Sequence, residues 1–306
     1  MTAYIARRLA QTLPIALLVS ILVFSLIHLI PGDPVEMMLG EGAQRSEVES
    51  LRHELGLDRP LPEQFIGFLS GLLRGDLGNS LHYDEPVRDL LLRHYPATVQ
   101  LALASMIVAL AMAMPLGIAA AFHRDGAIDH LSRVLSLMGV SIPNFWLGPM
   151  LILVFSIQLD LLPVSGKSGV ASIILPAITL GTGLAGLLTR MIRSSLTEEL
   201  HRPYLTTAQA KGLSRRDAVV RHALKNASIP IITVVGLQVG ALLTGAIITE
   251  MIFSWPGLGR LIIQSIRLRD YPLIQGGVLT IALTYLLINL VTDLIYAWLD
   301  PRIRLQ

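Results

Sequence analysis

TTAQAKGLSRRDAVVRHALKN, residues 206–226, is a basic, small-residue-rich block in a chain whose other long segments are apolar. Those segments set the fold class. The chain has 306 residues, 53% hydrophobic and only 15% charged, with a mean hydropathy of +0.62; an ordinary soluble domain carries about 25% charged residues. A bilayer core asks about 20 consecutive apolar residues of a helix. Six windows meet that demand, at residues 9–30, 97–122, 131–159, 172–191, 229–250 and 274–299. The expectation is an all-α polytopic membrane protein with six transmembrane helices. Arg7 and Arg8 ahead of the first window mimic a signal peptide, but the apolar stretch is too long and no small-residue cleavage site precedes Pro31, so it reads as an anchor.

Lys and Arg concentrate in cytoplasmic loops. Placing the N-terminus inside puts Arg7, Arg8, Arg124, Arg133, the cluster from Arg190 to Lys225, and Arg302 and Arg304 in the cytoplasm. With six spans the C-terminus is cytoplasmic too. The opposite side receives residues 31–95, with twelve acidic and six basic residues. The opening block is therefore cytoplasmic, and the pI near 9.0 reflects topology rather than nucleic-acid binding. With no cysteine, disulfides and thiolate metal sites are excluded within the chain. The division expected is residues 1–30 as tail and first span, 31–95 as an extracytoplasmic segment with short amphipathic helices, and 96–306 as a five-helix core with a cytoplasmic loop at 192–228. In the outer segment the pattern predicts a helix over 46–55, a Pro-bounded turn over 57–62, and a helix over 63–73 whose Phe65, Phe68 and Leu72 share one face suited to a membrane surface.

The opening block parses as two short helices around a turn. Pro203 suits a first helical turn, Ala208 and Ala210 favour helix, and Gly212 after Lys211 is a stop. Ser214 restarts the chain as an N-cap, with Asp217 three residues on completing a capping-box pattern. Val219, Val220, Ala223, Leu224 and Ala227 then fall on one side of the second helix. A DNA-reading helix-turn-helix has a similar turn but needs a third helix and its own core; here a membrane span begins at Ile229. A merely solvated positive-inside loop explains the charge, not the capped turn or the apolar face. The knuckle needs a protein surface to cover it.

The block resembles the cytoplasmic EAA coupling loop of permeases in binding-protein-dependent ABC importers, in which Glu-Ala-Ala is followed after three residues by Gly and later by Ile-x-Leu-Pro. Gly212 and Ala208 match; Thr206 stands where Glu is expected, and His222 to Lys225 replace Ile-x-Leu-Pro, with Pro230 five residues further on. YLTTAQAKGLSRRDAVVRHALKNASIPIIT is similar to the form in dipeptide, oligopeptide and nickel permeases. So are PGDP at 31–34, LGLDRPLPEQF at 55–65, SIPNFWLG at 141–148, EMIFSWPGLGRL at 250–261, RDYPLIQG at 269–276 and DLIYAWLDPRIR at 293–304, in family order along nearly the whole chain.

That resemblance implies a type I ABC importer permease fold in the bacterial inner membrane. The implied partners are a homologous second permease forming a heterodimer, two ABC ATPase subunits, an extracytoplasmic solute-binding protein and the lipid bilayer. ATP and Mg belong to the ATPases, with no cofactor in this chain. VSGKSG at 164–169 resembles the end of a P-loop, but Leu161 stands at its first glycine and no strand-loop-helix unit surrounds it. Family solutes include dipeptides, oligopeptides, glutathione, nickel chelates, opines and sugars.

Coupling is assigned to Leu205, Thr206, Ala208, Ala210, Lys211, Gly212, Leu213, Ser214, Arg215, Arg216 and Val220, with the two arginines either pairing with the ATPase or serving only topology. Polar residues in spans are costly and often face a cavity. That nominates Asn144, Gln238 and Asn289 as pathway residues; for Asn144 and Gln238, interhelical hydrogen bonding is the competing reading. Asp293 sits near the cytoplasmic end, within reach of Arg302 or Arg304. Gly181, Gly183, Gly186, Gly236, Gly240 and Gly245 offer either sliding surfaces or close packing. Glu250, Pro256, Gly257, Gly259, Arg267, Arg269 and Asp270 are assigned to an outer gate and docking surface. A secondary transporter acting without ATPases is the alternative class, but neither an inverted repeat nor a central acidic residue is present. An intramembrane hydrolase would need a serine partner for His28, and the sequence offers no convincing one; His28, near an outer end, reads as an interfacial histidine.

Overall fold

The computed structural model describes residues 2–29, 34–39, 42, 44–54 and 56–299. Residues 31–33 of the PGDP stretch, together with Arg302 and Arg304, lie outside them. The described chain is almost entirely helical. Its elements are α1 (Thr2–Leu29), α2 (Pro34–Leu39), α3 (Arg45–Glu54), α4 (Leu61–Arg74), α5 (Val87–Phe122), α6 (Ala127–Ser141), α7 (Asn144–Leu151), α8 (Ile174–Leu200), α9 (Pro203–Ala210), α10 (Arg215–Ala218), α11 (Leu224–Gly245), α12 (Ile247–Ile252), α13 (Leu258–Leu268) and α14 (Tyr271–Leu299). Four helices are long and apolar enough to cross a membrane, and two bent pairs raise the number to six.

The third window departs from a straight span. Its α6 and α7 meet at 99°. Ile142 is extended (φ −78°, ψ 119°) because the proline ring of Pro143 disfavours helical geometry in the preceding residue. After α7 the chain continues as a π-helix over Ile152–Gln158. The fifth window departs in the other direction. α10 runs through a π-helix, Val219–Ala223, into α11 without a loop, so the knuckle's second helix and the membrane helix form one rod. That rod bends by 43° near Pro230, whose missing N–H interrupts the hydrogen-bond ladder.

The described residues form two compact units. One holds Thr2–Thr98 and Pro256–Leu286. Val87, Leu90 and Leu91 of α5 make its core with Leu258 and Leu261 of α13 and Leu273 of α14. These inward-facing positions explain why α5 starts ten residues before the apolar window: its first turns are held by side chains rather than by lipid. α4 forms where the sequence predicts, after Pro60 and ending on Gly75 at φ 75°. Its apolar face is partly covered by α1. Phe65 and Phe68 pack on Phe24 of α1, ring centroids 5.3 and 5.9 Å away.

The other unit holds Val99–Trp255 and the chain from Leu287. Its centre is α8, packed against α6 and α11. Close approach needs missing side chains at two glycines: a Cβ on Gly186 would stand 2.4 Å from the Ser136 carbonyl oxygen, and one on Gly181 2.8 Å from that of Ser105. A Cβ on Gly236 would instead meet a side chain, the Thr292 methyl, at 2.5 Å. These positions are packing seams. Backbones that close are held by dispersion contacts that a side chain would remove.

Candidate functional site

The knuckle is built as its residues dictate. Pro203 begins α9, Gly212 turns the chain at φ 96°, and the Ser214 hydroxyl accepts from Asp217 N at 3.1 Å while donating to the Asp217 carboxylate at 2.6 Å. Its apolar face is covered by the chain itself. Leu205, Ala218, Val219, Ala223 and Ala227 form one cluster with Ala121 of α5 and Leu196 of α8, flanked by Tyr204, Ala208 and Leu213. This corrects the expectation for three residues. Leu205 is 6% exposed, and Ala208 and Leu213 are half-buried, so they hold the knuckle together and offer little to a partner. The outward surface consists of Thr206, Ala210, Lys211, Gly212, Ser214, Arg215, Arg216 and Val220, the last 55% exposed. Arg215, Arg216 and Val220 rim an apolar recess of ≈ 540 Å³ floored by Ile118, Phe122, Val219 and Leu224.

Two acidic anchors were not singled out from the sequence. Glu199, at the end of α8, accepts from the Tyr204 hydroxyl and from Asn226 Nδ2, tying α8 to both helices of the knuckle. Burial and the Glu199 carboxylate together raise the Tyr204 phenol above its ordinary pKa, so the hydroxyl stays a donor. Asp129, in the first turn of α6, is fully buried and pairs with Arg133 and with Arg193 of α8. An acid inside a basic stretch was the available signal for Glu199. For Asp129 only the three-dimensional meeting with Arg193 gives one.

At the α6–α7 break the same unit encloses a cavity of ≈ 480 Å³. Asn144, the first residue of α7, and Gln238 of α11 both line it, with Leu180, Gly183, Leu184 and Leu187 along the α8 wall. Neither carboxamide hydrogen-bonds another described residue. Both side chains face the cavity, and neither makes an interhelical hydrogen bond to a described residue. Asn289 is elsewhere on α14, absent from this lining, with a buried Oδ1 that has no partner among the described residues.

One wall of the cavity and the knuckle are the same helices. α8 runs unbroken from Leu184 at the cavity to Leu196 in the knuckle core, about 18 Å at 1.5 Å per residue. α11 also reaches from Gln238 to Leu224, across its 43° bend at Pro230.

The expected outer surface is only partly a surface. Glu250 is 0% and Asp270 1% exposed. Asp270 accepts from Leu273 N at 3.2 Å, capping α14, and from the Ser80 hydroxyl and His82 N, so its charge is spent on internal donors. Gly257 and Gly259 are buried at the start of α13; Pro256 is half-buried. Arg267 and Arg269 are exposed, Arg269 with φ 56° as the left-handed end of α13.

Residues 113–305 match the model of the family described as binding-protein-dependent transport system inner membrane component, and residues 1–102 match its N-terminal counterpart. The chain belongs to this family. The permease is 42% identical over 336 residues to the dipeptide transport system permease protein DppB of Escherichia coli K12, covering 99% of each chain. It is 42% identical over 304 residues to the glutathione transport system permease protein GsiC of Pectobacterium atrosepticum, again 99% of each. In fold the permease is similar to the inward-facing MetNI methionine ABC transporter (TM-score 0.56, 17% identity, 69% of this chain and 96% of that one). It is also similar to an amino acid ABC transporter crystallised with histidines (0.52, 16%, 70% and 94%). It is therefore the permease subunit of an ABC importer, a non-catalytic component that works with ATPase and substrate-binding partners.

Proposed function

We propose that this permease forms half of the pathway of a peptide importer in the bacterial inner membrane, with both termini cytoplasmic. It pairs there with a homologous second permease, two ATPases that carry ATP and Mg, and an extracytoplasmic solute-binding protein. The knuckle is the ATPase grip, and the cavity at the α6–α7 break is this chain's share of the pathway. The single observation that supports this is the sharing of α8 and α11 by cavity and knuckle: a displacement imposed on the knuckle moves a cavity wall directly. The cavity lining carries two uncommitted carboxamides and no charged group. Carboxamides exchange donors and acceptors with peptide amides irrespective of solute side chain, which suits the solutes named for the 42%-identical relatives.

The test is the complete complex in proteoliposomes, with ATP hydrolysis and labelled dipeptide uptake measured together. Arg215→Glu with Arg216→Glu should leave the subunits assembled and basal hydrolysis present while abolishing stimulation by the loaded binding protein. Unaltered stimulation would remove the knuckle from coupling.

A further inference from the structure

A second cavity, of ≈ 430 Å³, lies in the unit that contains α1, and no residue assigned to coupling or passage lines it. It falls within the size of small-molecule pockets, about 300–1,000 Å³. Phe24 of α1 and Phe68 of α4 give it an apolar side. Gln64 braces it: Nε2 donates to the carbonyls of Arg59 at 2.7 Å and Leu57 at 3.3 Å, and Oε1 lies 3.1 Å from His28 Nε2. Gln275 closes another side by donating to the Val23 and Phe24 carbonyls at 3.2 and 3.3 Å. These polar groups are consumed in building walls.

Two charges are not. Arg59 and Glu63, four residues apart where the chain enters α4, line the cavity. Asp76 lines it too but accepts from Gly78 N, and Arg59 feels the neighbouring Asp58 charge, yet neither Arg59 nor Glu63 has an ion pair within 4 Å or a side-chain hydrogen bond among the described residues. A third feature is Gly67, in the middle of α4. Glycine there costs about 1 kcal/mol relative to alanine, yet a Cβ would meet nothing within 4 Å. Packing does not require it, and a side chain added there would enter the open space of the cavity.

We infer that this cavity is a binding site for a compact zwitterion bearing an apolar group: its anionic end on Arg59, its ammonium on Glu63, its apolar part against Phe24 and Phe68. A free short peptide and a zwitterionic phospholipid headgroup share that chemistry. The inference holds whatever solute the pathway carries.

The experiment is calorimetric titration of the assembled complex in nanodiscs, without the binding protein, using L-leucyl-L-alanine, its neutral N-acetyl amide, and glycerophosphoethanolamine. Saturable binding of the dipeptide or of glycerophosphoethanolamine, but not of the neutral analogue, is expected; which of the two binds identifies the source. Arg59→Gln and Glu63→Gln should each weaken it by about tenfold or more, the loss of a charge-assisted hydrogen bond, and Gly67→Leu should abolish it by filling the space. Both charge variants alter exposed side chains, so they remain informative if Gly67→Leu fails to fold. Gln238→Leu, in the other cavity, should leave binding unchanged. Binding of neither zwitterion, equal binding of the neutral analogue, or sensitivity to Gln238→Leu instead of Glu63→Gln would overturn the proposal.

Discussion

Both carboxylate oxygens of Asp129 accept from Arg193: Nε bonds one and Nη2, at 2.7 Å, the other. The pair joins α6 to α8 with the carboxylate wholly buried, and the same carboxylate accepts from Asp125 N at 2.9 Å and from Arg133, through Nε at 3.3 Å and Nη2 at 2.6 Å. Removing one partner of a buried pair costs about 3–5 kcal/mol because the other charge is stranded, whereas replacing both with apolar groups is often neutral. Asp129→Leu, which strands the Arg193 guanidinium, should thus lower the unfolding midpoint in detergent sharply, and adding Arg193→Met should recover much of it. Additive losses in the double mutant would show that the ion pair does not clamp these helices.

The knuckle separates into inside and outside. Leu205→Ala should destabilise by about 2–5 kcal/mol, as for a buried leucine, and should lower the yield of assembled complex. Val220→Asp should leave the unfolding midpoint unchanged and reduce binding-protein-stimulated ATP hydrolysis at least as far as the Arg215 and Arg216 reversals do. The measurement is midpoint and stimulated rate on the same preparations.

Glycines along α8 should differ although they are neighbours in sequence. Gly186→Ala drives a Cβ onto the Ser136 carbonyl oxygen, a backbone atom that cannot rotate away, at a cost of about 1–3 kcal/mol for overpacking. Gly183→Ala meets its nearest atom, the Gly139 carbonyl oxygen, at 3.5 Å and should be tolerated in thermal unfolding. Equal effects would contradict the seam.

Asn144→Leu and Gln238→Leu should leave thermal stability intact, since neither carboxamide bonds another described residue, and should slow dipeptide uptake per ATP hydrolysed. If either variant unfolds earlier while the uptake ratio is unchanged, its carboxamide is structural.

At the expected docking surface, Arg267→Glu should weaken stimulation by the binding protein with basal hydrolysis unchanged. Asp270→Asn should instead lower stability, because it loosens the cap of α14 and the bonds to Ser80 and His82. A selective loss of stimulation in Asp270→Asn would return that residue to the interface.

Local chemistry made much of this molecule legible. Apolar run length marked the spans, because lipid leaves backbone groups no partner outside the helix. Pro203, Gly212 and Ser214 marked the knuckle, because a fixed φ, a left-handed turn and an N-cap hydroxyl are properties of single residues. The motifs carried the family. Tertiary structure decided the rest. Pro143 signals a break, but only packing sets 99° and brings Asn144 within one cavity with Gln238, ninety-four residues later. Leu205 and Val220 read alike as apolar knuckle residues; α5 and α8 bury the first and leave the second exposed. Glu250 and Asp270 read as surface charges until internal donors and neighbouring helices enclosed them. Pattern reports what a side chain prefers, whereas burial depends on which distant segment arrives beside it.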